Sequence, residues 1–251
     1  RSMIIQGLES AIEQNQLKLF YQTLFKKHSN KTVGAEALLR WQHPTLGNIP
    51  PLDIISAAEE TGRISVLENW IFRQACLDLP KMKKLFGETF TIGINISGAH
   101  LSQANFIDDI KAVLTETHCQ PKDIVIELTE SVLVSTIKQQ QDTLHTMRDL
   151  GFTFAIDDFG TGYSSLSYLQ RFPLDILKID RSFLKQIHSA DPQQATLTKA
   201  IIALGHNLDM KIVAEGVETP AQLDYIRELA CDYYQGYLCS EPVNIQNFNA
   251  Y

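Results

Sequence analysis

The sequence predicts an α/β protein, a (β/α)₈ barrel of the TIM type that opens with an antiparallel hairpin. Strand-like apolar runs alternate with helix-like runs along the 251 residues, and eight such strand-like runs can be counted. Clusters of Gly and Pro fall only in short connections. A doubly wound open sheet is the alternative fold, but it would gather ligands at one switch point. Polar residues here end nearly every strand-like run, which favours the barrel.

Hydrophobic periodicity and turn residues predict the individual elements. Apolar residues at helical spacing predict a helix before Asn15. Alternation predicts strands at 17–25 and 32–39, which the polar turn 28–31 joins in antiparallel fashion. Further strands are predicted at 90–97, 124–128, 152–156, 175–179, 211–214 and 233–237, and helices at 52–60, 64–86, 104–118, 136–150, 193–207 and 220–229.

Composition narrows the class of protein. The hydrophobic content of 44% is ordinary for a globular domain, and the net charge of −7 argues against a surface that binds a nucleic-acid polymer. No apolar run is long enough to cross a bilayer, so we expect no membrane contact by this domain. Four cysteines without CxxC spacing indicate reduced thiols and a cytoplasmic location. None of the seven histidines has a partner at ligand spacing, and we expect structural or surface roles for all of them.

We expect one domain over residues 1–251. We expect the helix within residues 1–16 to continue from an upstream domain. A longer parent protein could contain a membrane anchor.

Polar side chains stand at or near the ends of seven strand-like runs. The ends of parallel strands share one rim of a barrel, where active sites of this fold lie. Carboxylate and amide oxygens suit Mg²⁺ or Mn²⁺ better than Zn²⁺, and the adjacent Asp157 and Asp158 are compatible with a two-metal site. The seven residues are Glu36, Asn95, Glu127, Asp157, Lys178, Glu215 and Gln235.

Structural explanations for these residues stay open at this point. Asp158 could cap the following helix, and Lys178 could form an ion pair with a carboxylate of a neighbouring strand rather than position a nucleophilic water. Glu215 could be a ligand or proton acceptor and Glu218 could orient a loop, or either could face a helix dipole. Arg40 is a candidate phosphate clamp because a guanidinium binds phosphate in a bidentate manner.

Seven motifs, in order along the chain, resemble those of the EAL domain family. The resemblance covers about residues 17–242 and implies a barrel phosphodiesterase. Such an enzyme hydrolyses cyclic di-GMP to linear pGpG with a metal-activated water and ends a bacterial second-messenger signal that regulates biofilm and motility. The motifs are Glu36-Ala37-Leu38, Asn95-Ile96-Ser97, Glu127 to Ser131, Asp157 to Leu166, Leu177 to Phe183, Ala214 to Thr219 and Gln235-Gly236-Tyr237.

The resemblance also implies residue roles. The catalytic residues would be Lys178, which holds the attacking water, together with Glu36 and Glu215. Family assignments of Glu215 are general base or metal-site residue, and the second role is physically favoured when two metals are present. The metal ligands would be Glu36, Asn95, Glu127, Asp157 and Asp158, the last of them at the second metal. The residues that bind the substrate would be Gln22 at a guanine, Arg40 at a phosphate, Asp180 and Gln235. The loop 158–165 would be held by Glu130 and Glu218.

Cofactors and partners follow from the same resemblance. Two Mg²⁺ or Mn²⁺ ions per active site are expected, with Ca²⁺ inhibitory, and so are a homodimer and an upstream sensory or GGDEF-type domain. Two other functions stay open: a receptor that binds cyclic di-GMP without cleaving it, and a protein-interaction domain. Receptor members of the family typically lose a ligand or the loop glutamate, and this sequence retains them. Thr23 stands where the family usually has Pro.

Overall fold

The structure is a computed structural model that describes residues 2–29, 31–135, 138–160, 169, 171–185 and 192–249. The strands are β1 (Leu17–Lys26), β2 (Thr32–His43), β3 (Gly47–Ile49), β4 (Thr91–Asn95), β5 (Ile124–Thr129), β6 (Thr153–Phe159), β7 (Ile176–Ile179), β8 (Lys211–Ala214), β9 (Tyr233–Tyr234) and β10 (Val243–Asn244). The helices are α1 (Ser2–Glu13), α2 (Pro51–Glu60), α3 (Ile64–Phe86), α4 (Gly98–Leu101), α5 (Phe106–Thr117), α6 (Glu130–Ser135), α7 (Lys138–Leu150), α8 (Ser182–Lys185), α9 (Pro192–Asn207) and α10 (Pro220–Glu228).

The strands close into the predicted barrel. From β2 the order runs in parallel through β4, β5, β6, β7, β8 and β9. β1 completes the ring by pairing antiparallel with both β2 and β9. The expected antiparallel hairpin is therefore confirmed. β3 and β10 lie outside the ring and extend it from β2 and β1.

Helix α3 illustrates how sequence periodicity places a helix against the barrel. Ile64, Leu67, Ile71, Phe72 and Ala75 recur at three- and four-residue spacing and are buried. This face packs on β4, β2 and α5. The predicted bounds of this helix, 64–86, are those observed.

Several elements differ from the sequence-based expectation. β2 continues to His43 because it goes on pairing with β1 and β3 after it has left the barrel wall. Helix α6 follows β5 without a polar linker and was not predicted, and residues 136–137, where the next helix was expected to begin, lie outside the described residues. β9 has two residues rather than five, so Gln235 lies just beyond it.

The parallel strands bring their carboxyl ends to one rim of the barrel, which is where the polar residues were expected to meet. The four cysteines are free, as expected, and Cys76, Cys119 and Cys231 are buried. In the part of the chain that the structure describes, no helix has the length and apolar character required to cross a membrane.

Candidate active site

A buried lysine lies at the centre of the rim. The Lys178 side chain, on β7, is 3% exposed, and its Nζ lies 2.6 Å from Glu127 Oε2 and 2.7 Å from Glu215 Oε1. The same Nζ lies 3.2 Å from Glu36 Oε2 and 3.4 Å from Asp157 Oδ1. The structure therefore brings together side chains from five strands or strand ends that are far apart in the sequence, at one rim of the barrel.

Two side-chain amides complete the cluster. Asn95 Nδ2 donates to Glu36 Oε1 at 2.8 Å. Gln235 Nε2 donates to Glu36 Oε2 at 2.8 Å and to Glu215 Oε1 at 2.9 Å. Because the amide nitrogen of Asn95 is turned toward Glu36, its carbonyl oxygen is left as a potential metal ligand.

Glu36 lies in the middle of β2 and not near its end, which corrects the sequence-based expectation. The part of β2 that pairs with β4 ends at Ala37, however. Glu36 is therefore the last but one residue of β2 in the barrel wall, close to the ends of the other strands. Gln22 lies directly opposite it on β1.

A bulge in β6 aims two consecutive carboxylates at the same site. Side chains of successive strand residues normally point to opposite faces. The pairing of β6 with β7 shifts between Ile156 and Phe159, and Asp158 has a φ of 54°. This left-handed conformation is uncommon outside Gly and often marks functional sites. It gives Asp157 and Asp158 a common face, and Asp157 Oδ1 accepts a hydrogen bond from the Asp158 N–H at 2.9 Å.

The pKa values of Lys178 and Glu36 are shifted so that both groups stay charged. Burial alone would lower the pKa of Lys178, but the surrounding carboxylates, Asp157 and Glu127 foremost, raise that pKa well above its usual value. Burial raises the pKa of Glu36, but Lys178 and the hydrogen bonds from Gln235 and Asn95 outweigh burial, so the pKa is lowered overall. Lys178 is thus a cation and Glu36 an anion at neutral pH.

Three other carboxylates, those of Glu127, Glu215 and Asp158, have raised pKa values. Burial and the charge of Glu36 raise the pKa of Glu127 well above its usual range. Burial, with repulsion from Asp157 and Glu36, raises the pKa of Glu215 to about 8 although Lys178 opposes the shift. The pKa of Asp158 is also raised, by burial and by Asp157. The single ammonium of Lys178 therefore does not offset burial and mutual repulsion at these three groups, and a bound cation would favour their ionised forms.

The geometry offers two overlapping groups of carboxylates that could hold metal ions. Oxygens of Glu36, Glu127 and Asp157 all lie within 4.8 Å of one another, and so do oxygens of Asp157, Asp158 and Glu215. Asp157 belongs to both groups. These oxygen ligands suit a hard divalent cation, and their excess of negative charge fits more than one.

Gly93 leaves room for the Glu127 side chain, which lies against its backbone, and it was not identified from the sequence. It lies two residues before Asn95 and therefore on the same face of β4. A methyl group on Gly93 would come within 2.1 Å of Glu127 Oε1. The signal that could have revealed it is a glycine inside an apolar strand, where close approach by another group is a common reason.

We expect Gly93→Ala to displace the Glu127 carboxylate from Lys178. Overpacking of this kind costs about 1–3 kcal/mol of folding free energy, and the affinity for divalent cations should fall about tenfold or more. Urea unfolding and calorimetric titration with Mn²⁺ measure both quantities. Gly98→Ala is the control, since its methyl group would meet Val132 at an ordinary 3.5 Å. Equal Mn²⁺ affinity in the two variants would contradict this role of Gly93.

The predicted substrate contacts line two clefts that flank the carboxylates. Gln22, Asp180 and Gln235 line a cleft of about 270 Å³, together with Glu218. Arg40 lines a second, more apolar cleft of about 370 Å³ on the other side. Asp157 and Asp158 line both clefts.

Arg40 and Asp180 are also held by local contacts. Arg40 Cζ lies 5.7 Å from the centre of the Phe20 ring, and its Nη1 donates to the carbonyl of Leu39 at 2.8 Å. Asp180 Oδ1 accepts from the Ser182 N–H at 2.9 Å at the start of α8. Both side chains are thus oriented before any ligand binds.

The loop that Glu130 and Glu218 were expected to hold is described only in part. Glu130 is buried, and its Oε2 accepts a hydrogen bond from the Gly160 N–H at 3.1 Å. Residues 161–168 lie outside the described residues, so the expected contacts with them stay predictions. Glu218 is exposed at the cleft, and its backbone N–H donates to Gln222 Oε1 at 2.7 Å.

Comparison with known proteins agrees with the fold. A family model of the EAL domain matches residues 5–242, and the chain belongs to this family. It is 40% identical over 236 residues to the cyclic di-GMP phosphodiesterase NbdA of Pseudomonas aeruginosa, which covers 94% of this chain and 30% of that protein. It is 36% identical over 240 residues to the bifunctional diguanylate cyclase/cyclic di-GMP phosphodiesterase MucR of the same organism, with coverage of 96% and 35%.

A solved structure has the same fold. The PaMucR phosphodiesterase in complex with c-di-GMP is 36% identical, and it superposes with a TM-score of 0.91 over 97% of this chain and 98% of that one. The two curated relatives are much longer, and this chain spans about a third of their length.

Proposed function

We propose that this chain is a metal-dependent phosphodiesterase that hydrolyses cyclic di-GMP to linear pGpG and so ends a bacterial second-messenger signal. The observation that carries the proposal is the presence of two sets of three carboxylates that share Asp157 and lie around Lys178. Its substrate follows from family membership and from a relative that is 40% identical and named a cyclic di-GMP phosphodiesterase.

In the proposed reaction, a water oxygen forms a bond to phosphorus and the P–O3′ bond breaks. The attacking water loses a proton, and the departing 3′ oxygen gains one. Glu36, Asn95, Glu127 and Asp157 would hold one metal ion, and Asp158 and Glu215 would join Asp157 at a second. When bound, these ions would polarise the phosphodiester and lower the pKa of the attacking water.

Lys178 would orient the attacking water. Because neighbouring carboxylates raise its pKa well above the usual value, its ammonium donates hydrogen bonds and does not accept a proton. The same charge would stabilise the negative charge that develops on the phosphate oxygens. Oε1 of Glu215 accepts hydrogen bonds from Lys178 and Gln235, which hold the carboxylate within the cluster. Glu215 is therefore better placed to bind a cation than to act as a general base.

The two clefts would receive the two halves of the substrate. Gln22 would contact a guanine in the first cleft, near Asp180 and Gln235. Arg40 would bind a phosphate from the second cleft, whose apolar walls suit a purine. The phosphodiester would then lie over Asp157, which lines both.

The cations would be Mg²⁺ or Mn²⁺, two per site, with Ca²⁺ as an inhibitor. Ca²⁺ accepts oxygen ligands but prefers longer bonds and more of them, so it would bind without supporting the same geometry. Glu130 and Glu218 would hold the loop 158–165 at the second ion.

We further propose that residues 1–251 form one domain of a longer cytoplasmic protein, with an upstream sensory or GGDEF-type domain. The domain would act as a homodimer that pairs through barrel helices near the loop 158–165. Sedimentation with and without cyclic di-GMP tests the assembly. A fully active monomer at working concentration would contradict regulation by dimerisation.

Turnover of cyclic di-GMP tests the proposed activity. The protein is incubated with cyclic di-GMP and Mg²⁺ or Mn²⁺, and the nucleotides are separated by chromatography. We expect pGpG with either ion, none in EDTA or Ca²⁺, and none from Glu36→Ala. Cyclic di-GMP that binds tightly but stays intact in both ions, also at concentrations that favour a dimer, would identify a receptor instead.

A further inference from the structure

Glu68 occupies a position on α3 where an apolar residue would be expected. It lies between Leu67 and Ile71 on the buried face of the helix and is 2% exposed. Burial of a carboxylate is costly unless the group accepts hydrogen bonds. A packing role alone would favour Leu or Met, so the contacts of the carboxylate indicate its purpose.

Both oxygens of Glu68 are used by the turn that follows β4. Oε1 accepts the backbone N–H of Ser97 at 2.9 Å, and Oε2 lies 2.9 Å from Nδ1 of His100. Ser97 Oγ in turn accepts the backbone N–H of His100 at 3.1 Å and caps α4. The three residues form a closed set of hydrogen bonds between α3 and this turn.

His100 serves this set and has no access to solvent. It is fully buried, with its ring edge-on to Phe106 at a centroid distance of 4.8 Å. Among the described residues, its Nε2 has no hydrogen-bond partner. The imidazole thus has its side-chain hydrogen bond at Nδ1 only, and that bond is directed at Glu68.

The turn held by Glu68 begins at Asn95. The N–H of Ile96 donates to the carbonyl of Glu127 at 3.0 Å, and the next N–H, that of Ser97, donates to Glu68. The two peptide groups after Asn95 are therefore fixed by two different elements, β5 and α3. This fixes the backbone from which the Asn95 amide reaches Glu36.

We propose that Glu68 and His100 are positioning residues for the metal site and act through Asn95. They hold the turn so that the carbonyl oxygen of Asn95 faces the cation held by Glu36, Glu127 and Asp157. This inference rests on the proposed metal-dependent function and deepens it. It predicts that a change at α3, away from the rim, weakens metal binding.

Calorimetric titration with Mn²⁺ alone tests the proposal without substrate. Glu68→Gln keeps the shape of the side chain but places an NH₂ group against one of two donors, and His100→Phe removes one donor while keeping an aromatic ring. For the Mn²⁺ held by Glu36, Glu127 and Asp157, we expect the dissociation constant to rise about tenfold in each variant. This is the lower end of the effect measured for residues that hydrogen-bond to metal ligands. With Mn²⁺ saturating, the KM for cyclic di-GMP should stay within about twofold.

A double-mutant cycle with Asn95→Ala separates positioning from general destabilisation. If Glu68 acts through Asn95, adding Glu68→Gln to Asn95→Ala should leave Mn²⁺ affinity unchanged from Asn95→Ala alone. Leu67→Ala is the control, since it removes buried apolar volume from the same helix and leaves the hydrogen bonds of Glu68 to the turn in place. It should lower the melting temperature and leave Mn²⁺ affinity at the wild-type value.

The outcomes distinguish this proposal from the proposed function. Wild-type Mn²⁺ affinity in both Glu68→Gln and His100→Phe, or an equal loss in Leu67→Ala, would overturn the positioning role. If His100→Phe does not fold, Glu68→Gln and the cycle decide alone. Wild-type protein that binds Mn²⁺ without hydrolysing cyclic di-GMP would overturn the phosphodiesterase and leave the Mn²⁺ comparison valid, whereas wild-type protein that binds no Mn²⁺ would overturn both.

Discussion

Replacement of Lys178 by methionine is expected to destabilise the metal-free protein and to suppress turnover. Methionine preserves the length of the side chain but removes the ammonium that contacts Glu36, Glu127 and Glu215. Removal of one partner from a buried ion pair typically costs about 3–5 kcal/mol, and loss of a donor to developing charge slows reactions about 100- to 1,000-fold. Urea unfolding in EDTA measures the first effect, and cyclic di-GMP turnover at saturating Mn²⁺ measures the second.

Lys211→Met provides the matched control. The Lys211 side chain is 60% exposed and lies 3.4 Å from Asp232, so its loss should cost less than about 1 kcal/mol and leave turnover unchanged. If Lys178→Met loses stability but each folded molecule keeps its wild-type turnover, Lys178 is only a structural ion-pair partner. That outcome would support the alternative explanation that the sequence left open.

The second large effect is expected from Glu36→Gln. Glu36 accepts from Asn95 at one oxygen and from Gln235 and Lys178 at the other. A glutamine has the same shape, but its NH₂ group would face donors at either position. It also removes a charge from the first carboxylate group. Stabilisation by a metal ion is worth several kcal/mol, so turnover should fall about 1,000-fold or more.

Glu116→Gln is the control for loss of one carboxylate. Glu116 lies on α5, is 56% exposed and pairs with Arg73 on the surface. We expect its variant to retain wild-type turnover and Mn²⁺ binding. Retention of substantial turnover by Glu36→Gln at saturating Mn²⁺ would contradict the assignment of Glu36 as a ligand.

Much of the fold could be predicted from the sequence because its elements are strongly patterned. The bounds of α3 follow from its apolar spacing and the Gly residues that flank it. The barrel itself follows from the alternation of strands and helices, and the common rim from polar residues at strand ends. The extension of β2 depends on its pairing with β3, and α6 depends on its contacts with β5 and β6. Local sequence patterns revealed neither element.

The site was predictable in its members but not in its geometry. Glu36 and Lys178 are 142 positions apart, and only the barrel brings them within 3.2 Å. The adjacent Asp157 and Asp158 were visible in the sequence, but the bulge and the left-handed φ that give them a common face were not. Glu68 was hidden among the apolar residues of a helix, since its role depends on a turn in another part of the chain.

The number of Mn²⁺ ions bound per chain tests the central claim most directly, that the strand ends form two cation sites joined by Asp157. Asp158 belongs to the second carboxylate group only. We predict two Mn²⁺ for the wild-type protein and one for Asp158→Asn, measured by calorimetric titration without substrate. Equal numbers of Mn²⁺ in the two proteins, or none in the wild type, would contradict the claim.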